Sequence, residues 1–243
     1  MVLADAILLA AGSGTRYQRE HPKQFDVIAG QPVFMHALRS LMKLKGVRHV
    51  IGVFPKDYIN DAEKIIEDAL GPNHPVRLVI GGATRPESSR LAIAAIAQMS
   101  PAPERVLIHD ASRPYFSKAF HSRVQKTFGA WIPVIPVSDT LKRVEDSQVQ
   151  ETVDRNELYR AQTPQIFDFS VLQSLWSQVG ELSHFTDDAS LCEQFKVPVG
   201  TFEGDLSNIK LTYPVEAEML RPLLNQATDK EACESESDTT YTV

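Results

Sequence analysis

A glycine-containing loop with two basic residues is the first feature of the sequence that could carry chemistry. Residues 10–16 read Ala-Ala-Gly-Ser-Gly-Thr-Arg and follow a short apolar run, and residues 22–24 read Pro-Lys-Gln soon afterwards. Small residues let backbone N–H groups approach phosphate oxygens, and Arg16 and Lys23 add positive charge. Two familiar glycine loops are excluded, because a dinucleotide fingerprint needs a third glycine where Tyr17 stands and a Walker A loop needs Gly-Lys-Ser/Thr. The segment predicts a phosphate-binding loop of another kind, with a plain glycine turn beside surface bases as the alternative.

Strand-like apolar runs alternate with helix-period segments over the first 135 residues. The predicted strands are residues 6–9, 50–54, 76–80, 106–108 and 132–137. The predicted helices carry apolar stripes over residues 34–41, 59–69 and 91–99. This alternation predicts an α/β, Rossmann-like fold with a mostly parallel sheet and helices on both faces. Ligands of such sheets bind at the carboxyl ends of the strands, so we expect convergence of the loops at 10–16, 81–88, 109–114 and 138–143.

The alternation stops between about residues 138 and 159. Residues 140–144 and 149–153 flank the turn-forming Glu-Asp-Ser at 145–147, which predicts a β-hairpin that is polar on both faces. A two-stranded ribbon is barely stable in water by itself. We therefore expect a protruding arm that is used in dimerisation.

The composition is that of an ordinary globular protein with an acidic excess. Among 243 residues, 25 Lys and Arg stand against 31 Asp and Glu, a formal charge of −6. Nothing in this balance favours a nucleic-acid partner, and no apolar run approaches the roughly 20 residues that cross a bilayer. Cys192 and Cys233 are too few for a disulfide framework, and Cys192 is expected to be a buried thiol on a helix over 187–195. We expect a cytoplasmic protein with neither a leader peptide nor a membrane partner.

Most of the negative charge lies at the end of the chain. Residues 226–243 contain five acidic residues and one basic residue, a local charge of −4. The segment is mostly polar and has no helical or alternating period, so we expect it to be a disordered tail. Residues 1–225 are then a single domain that includes the arm.

Eight short motifs follow one another along the chain. The first is the loop at 10–16 together with Pro-Lys-Gln-Phe at 22–25. The others lie at residues 81–88, 108–114, 139–143, 152–158, 162–165, 186–190 and 208–212. Taken in this order, they resemble the motifs of the 2-C-methyl-D-erythritol 4-phosphate cytidylyltransferases, and the resemblance covers about residues 4–222. It implies an enzyme of isoprenoid precursor biosynthesis that joins CTP to methylerythritol phosphate and gives CDP-methylerythritol and pyrophosphate.

The resemblance implies catalysis by positive charge, without a general base. A phosphate monoester has a second pKa of about 6, so its oxygen is already a nucleophile at neutral pH. Arg16 and Lys23 match the family's two cations on the triphosphate, whereas Arg155 and Lys210 match the residues that position the acceptor. Mg²⁺ is the implied cofactor, held mainly by the phosphates of CTP, and Asp110 is the acidic residue expected near it.

Other positions match the family's substrate contacts. Those for the nucleotide are Ala10, Ala11, Gly12, Ser13, Gly14, Gly82, Ala83, Ser88, Asp110 and Ala111. Those for the acceptor are Arg113, Thr140, Arg155 and Lys210. In the family the arm crosses a two-fold axis, so the implied partner is a second copy of the chain, with arm exchange in a homodimer. His109 is expected to be a packed strand-end histidine, and the alternative for Asp110 is an ion pair with Arg113.

Some residues depart from the family pattern, and other functions remain open. Ala83 stands where some members carry an acid, Ser112 replaces an alanine, and Ser89 lies where aliphatic residues are usual. The nearest alternative is a cytidylyltransferase that forms CDP-ribitol. A hexose-1-phosphate nucleotidylyltransferase should lack the arm and the motif at 208–210. A non-catalytic nucleotide-binding protein should lack acceptor cations such as Arg155.

Overall fold

The computed structural model describes residues 3–12, 17, 21–126, 129–180 and 185–237. The strands are β1 (Ala4–Leu9), β2 (Val27–Ile28), β3 (Gln31–Pro32), β4 (Val47–Phe54), β5 (Val76–Ile80), β6 (Arg105–Asp110), β7 (Trp131–Pro136), β8 (Leu141–Glu145), β9 (Gln148–Val153), β10 (Tyr159–Ala161), β11 (Gln165–Asp168) and β12 (Gly200–Glu203). The helices are α1 (Val33–Met42), α2 (Ile59–Leu70), α3 (Arg85–Ala97), α4 (Lys118–Lys126), α5 (Phe169–Gln178), α6 (Asp188–Gln194) and α7 (Val215–Ser237). Every strand and helix predicted above is present, with bounds that differ by up to six residues, the largest difference being at the start of α3.

The central sheet is mostly parallel, as predicted. Its order is β10-β7-β11-β6-β1-β4-β5, and β12 pairs with β7. Strand β1 is parallel to β4 and β6, and β4 is parallel to β5, whereas β11 is antiparallel to both β6 and β7. The sequence analysis did not predict β11. Because β11 is antiparallel to both of these neighbours, β7 runs parallel to β6. The carboxyl end of β7 therefore lies at the same edge of the sheet as that of β6.

The helices cover both faces of the sheet. One cluster of buried residues joins α1, α2 and α4 to the strands, with Phe34 and Phe120 among its members. A second cluster joins α3, α5 and α6 to the other face, and includes Ile93 and Trp176. In β1, Ala6 and Leu8 belong to the first cluster and Ile7 to the second. A strand that is buried on both sides in this way must be apolar at successive positions. The apolar run of β1 could therefore be recognised in the sequence.

The predicted arm is a separate two-stranded sheet of β8 and β9. Asp146 and Ser147 have φ values of 48° and 64°, which is the backbone pattern of a type I′ hairpin turn. The prediction that both faces are polar is wrong at one place. Val144 and Val149 are directly opposite each other and are 56% and 62% exposed. An irregularity in register between Arg143 and Val144 aligns these two valines, and it could not be read from the sequence.

The last helix continues past residue 225, where the sequence analysis ended the domain. Helix α7 runs to Ser237, and residues 238–243 lie outside the described residues. After Pro222 the segment contains no glycine or proline up to Ser237, and its Leu, Gln, Glu and Lys residues favour helix. The segment lacks the apolar stripe by which helices were predicted, but its residues have a high helix propensity. The division into a domain and an acidic tail stays a prediction.

None of the helices in the described part of the chain is both long enough and apolar enough to cross a membrane.

Candidate active site

A cavity of about 380 Å³ opens at the carboxyl ends of the central strands. Three of the four predicted loops line it, and the loop at 138–143 does not. Ten of the predicted site residues are among its lining: Ala10, Ala11, Gly12, Lys23, Gly82, Ala83, Ser88, Asp110, Ala111 and Lys210. The strand-end rule therefore placed most of this cavity correctly.

The described part of the glycine-containing loop is held by the side chain of Gln24. This side chain is 3% exposed, and its Nε2 donates hydrogen bonds to the backbone oxygens of Ala10 and, at 3.1 Å, Gly12. Its neighbour Lys23 begins a short 3-10 turn and lines the cavity. The Pro-Lys-Gln motif therefore supplies both a cation, Lys23, and the side chain that holds the loop, Gln24. Only the cation was predicted from the sequence. Ser13, Gly14 and Arg16 lie outside the described residues.

The loop that follows β5 forms a closely packed wall of the cavity. A Cβ atom on Gly81 would lie 2.3 Å from Cβ of Ala11, so only glycine allows the two loops to approach. The Gly82 N–H donates to Ser88 Oγ at 3.1 Å, and the Ala83 N–H donates to Glu87 Oε2 at 2.8 Å. These hydrogen bonds fix the backbone of the loop before any ligand binds.

Asp110 is ion-paired with two cations at the end of β6. Its Oδ2 lies 2.7 Å from Lys210 Nζ, and its Oδ1 lies 3.3 Å from Arg85 Nε. Burial alone would raise the pKa of Asp110, but the charges of Arg85, Lys210 and Arg113 outweigh it and hold this pKa far below the ordinary value. Asp110 is therefore ionised at neutral pH. The alternative in which it pairs with Arg113 is wrong, because its ion pairs among the described residues are made with Arg85 and Lys210.

Arg85 connects this cavity to a buried acid on the next layer. Its Nη1 lies 2.8 Å from Oδ2 of Asp188, which is fully buried. The Ser89 hydroxyl donates to the other oxygen of Asp188. Burial lowers the pKa of Arg85. The negative charges of Asp188 and Asp110 outweigh this effect and raise the pKa above its ordinary value, so the guanidinium stays charged. Ser89 departs from the family pattern and both charged residues lie in the matching motifs, but no role for these three residues was predicted from the sequence.

His109 is a packed strand-end residue, as expected. It is fully buried, and burial lowers its pKa to about 4. Its Nε2 lies 2.9 Å from the backbone oxygen of Arg113, which can only accept, so Nε2 carries the proton. Its Nδ1 then accepts from the Thr163 hydroxyl at 2.9 Å, and the Asp110 N–H donates to that same hydroxyl oxygen at 3.1 Å. This chain of hydrogen bonds orients the backbone of Asp110.

Three predicted acceptor residues do not line the cavity within one chain. Arg113 donates from Nη1 to the backbone oxygen of Asn208 at 2.7 Å, which ties the β6 loop to the segment that carries Lys210. Thr140 and Arg155 are exposed residues of the arm region, and Arg155 donates to the backbone oxygen of Ser138. Their predicted roles depend on a second chain and stay predictions.

The charges that line this cavity suit phosphorylated ligands. The charged residues that line the described cavity are Lys23, Arg85, Lys210 and Asp110, a sum of +2 in a chain of net charge −6. A Rossmann-like sheet that places such a cavity beside a glycine-containing loop is typical of the nucleotidyltransferase class. The sequence profile of IspD, 2-C-methyl-D-erythritol 4-phosphate cytidylyltransferase, matches residues 4–226. The chain belongs to this family.

Individual relatives agree with the family match. The bifunctional enzyme IspD/IspF of Rhodopseudomonas palustris is 39% identical over 215 residues, which are 86% of this chain and 52% of that protein. The corresponding enzyme of Desulfotalea psychrophila is 35% identical over 211 residues, with 86% and 53% covered. The chain spans about half the length of these curated relatives.

Solved structures of similar length share the fold. A crystal structure of a 4-diphosphocytidyl-2C-methyl-D-erythritol synthase has a TM-score of 0.76 at 30% identity and covers 92% of this chain and 100% of its own. The synthase of Anaerococcus prevotii has a TM-score of 0.73 at 27% identity, with 92% and 96% covered.

Proposed function

We propose that this chain is a cytidylyltransferase that joins CTP and 2-C-methyl-D-erythritol 4-phosphate into CDP-methylerythritol, with release of pyrophosphate. The observation that carries the proposal is the convergence of Lys23, Arg85 and Lys210 on one cavity beside the glycine-containing loop. Two polyanions must approach each other in this reaction. Cations that are already in place lower their repulsion without reorganising during the reaction.

The chemical step needs little from the protein besides position and charge. An oxygen of the acceptor phosphate forms a bond to the α-phosphorus of CTP while the bond from that phosphorus to the departing pyrophosphate breaks. The acceptor oxygen is already deprotonated, so no general base is required. Lys23, with Arg16, would stabilise the triphosphate as negative charge develops on the leaving group. Lys210 would hold the acceptor, because its side chain is paired with Asp110 yet remains 40% exposed.

The wall formed by residues 81–88 suits a small base. The Ala83 methyl group and the fixed backbone of Gly82 line the cavity near Ser88, which is 2% exposed. The Ser88 hydroxyl already donates to the backbone oxygen of Thr84 at 2.9 Å. We infer that cytosine binds against this wall and that a purine would collide with it.

The residues present fit a magnesium ion that is carried by the nucleotide. Asp110 is the one acidic side chain among the described residues that line the cavity. No group of three or more His, Cys, Asp or Glu side chains suited to a metal occurs in the described ranges. Mg²⁺ commonly binds substrate phosphates with one or two carboxylates and water, which is compatible with Asp110 alone. When bound, it would neutralise charge on the triphosphate.

The proposal includes a homodimer in which the arms are exchanged. Val144 and Val149 form an exposed apolar pair on a ribbon that pairs with no other strand in the described part of the chain. Burial of this pair against a second chain would stabilise the arm. Thr140 and Arg155 would then reach the acceptor half of the neighbour's cavity. We also place the protein in the cytoplasm, where the buried Cys192 thiol, its pKa raised by burial to about 12, stays reduced.

The test is pyrophosphate release from CTP and Mg²⁺ with each of two acceptors. We expect turnover with methylerythritol phosphate and little with ribitol 5-phosphate. The reverse preference would assign the chain to the CDP-ribitol-forming relatives. Binding of CTP without turnover on either acceptor would make it a nucleotide-binding protein.

A further inference from the structure

A second and larger cavity lies away from the proposed nucleotide site. Its volume is about 510 Å³, within the range of small-molecule sites, and it lies between α1, α4 and the described part of α7. None of its lining residues lines the first cavity. The proposed reaction gives it no role.

The charged residues that line this cavity in the described chain are all basic. Arg39 lies in the last turn of α1, Lys43 directly follows that helix, and Lys118 begins α4. Arg39 Nε donates to Gln31 Oε1 at 3.1 Å, and in the described structure its terminal nitrogens and Lys118 Nζ have neither a hydrogen bond nor an ion pair. Arg39 and Lys118 are like charges at one cavity in a chain that is acidic overall, and a bound anion would remove the cost of their repulsion.

A histidine on α4 links that helix to α1 beside the cavity. His121 Nε2 donates to the backbone oxygen of Ser40 at 2.9 Å, which ties α4 to α1. Burial, followed by the charge of Lys43, lowers the pKa of His121 despite that hydrogen bond.

The remaining lining is apolar and aromatic on one side. Pro114 and Leu224 are buried, and Phe116 packs edge-on against His121 with ring centroids 5.9 Å apart. Tyr115 completes this side. An inorganic ion would leave these groups unused.

We propose that the cavity binds a small organic phosphate, with the phosphate between Arg39 and Lys118 and an apolar or aromatic body against Phe116 and Leu224. Arg and Lys both make charge-assisted hydrogen bonds to phosphate, and the apolar side supplies area that water would otherwise cover. The proposal does not depend on cytidylyl transfer, since no residue is shared with the first cavity.

Calorimetric titration with phenyl phosphate tests the proposal on the whole chain. We expect one binding event that weakens at least tenfold in the double variant Arg39→Gln/Lys118→Gln, because two charge-assisted contacts are lost. The matched control is Lys56→Gln/Lys64→Gln, which removes two exposed lysines elsewhere and should bind like the wild type. Lys23→Ala should also retain binding. Thermal melts of each variant establish that it is folded.

Three outcomes would overturn the proposal. Phenyl phosphate could fail to bind the wild type, could bind the double variant equally well, or could lose its binding in Lys23→Ala, which would place it in the first cavity. Inorganic phosphate and phenol separate the two halves of the ligand. We expect each to bind at least tenfold more weakly than phenyl phosphate, and equal binding of inorganic phosphate would remove the apolar half.

Discussion

The cavity at the sheet edge and the arm are built in opposite ways. Around the cavity, Lys210, Asp110, Arg85 and Asp188 form a chain of ion pairs that is fixed within one molecule. At the arm, Arg155 is exposed and lies two residues beyond β9, one of the two strands of a ribbon that pairs with no other strand in the described residues. The cavity at the sheet edge is therefore lined by residues of one chain, whereas the acceptor contacts that the resemblance assigns to Thr140 and Arg155 need a second chain.

The largest expected effect on activity comes from removal of a cation that lines the cavity. Lys23→Ala should lower the turnover number by about 10²- to 10³-fold, the usual cost of losing one preorganised charge at a transition state. Pyrophosphate release at saturating substrates measures this loss, and Lys64→Ala on an exposed helix surface is the control. Turnover within threefold of the wild type would remove Lys23 from the mechanism.

The arm is tested by mixing two inactive variants. Arg155→Ala alone should lose activity, and after subunit exchange with Lys23→Ala about a quarter of wild-type activity should return, since half the dimers are mixed and each has one intact site. Gel filtration of both variants establishes that they still dimerise. If mixing restores nothing, Arg155 does not act on a neighbour's site.

The buried ion pair behind the cavity should matter more for stability than for chemistry. Arg85→Met leaves Asp188 buried without its cation, which should lower the free energy of unfolding by about 3 kcal/mol. Urea unfolding measures the change. The double variant Arg85→Met/Asp188→Asn should recover part of it, because the uncompensated charge is gone. A single variant as stable as the wild type would show that the pair is not a fixed part of the fold.

A smaller effect concerns pH. The pKa of His109 is lowered to about 4 in the folded chain, against 6.5 ordinarily, so the unfolded chain binds the extra proton between these values. Stability from this residue is therefore complete above pH 6.5 and should fall by about 2 kcal/mol between pH 7 and pH 5. Urea unfolding of His109→Gln across this range should show a shallower slope than the wild type. Parallel slopes would contradict the assignment.

Local sequence patterns predicted the elements in which residues close together in the chain have similar surroundings in the fold. The run at β1 is apolar because both faces are buried, and glycine loops follow β1 and β5 because strand ends must approach each other. The resemblance then placed Lys210, about 100 residues from Asp110, in the same cavity.

Contacts between distant side chains were not predictable in the same way. Arg85 and Asp188 are 103 residues apart, and in the sequence neither can be distinguished from an ordinary charged surface residue. Gln24 carries no charge or period that would mark it as an anchor. Strands β10, β11 and β12 have three or four residues each, too few for a period to appear.

The connection from β6 to α4 borders both cavities, with Ala111 and Ser112 on the first and Pro114 to Lys118 on the second. A molecule that displaces this short stretch from one side alters the walls seen from the other. Thermodynamic linkage makes such an influence mutual: whatever factor an organic phosphate imposes on nucleotide affinity, the nucleotide imposes on the organic phosphate.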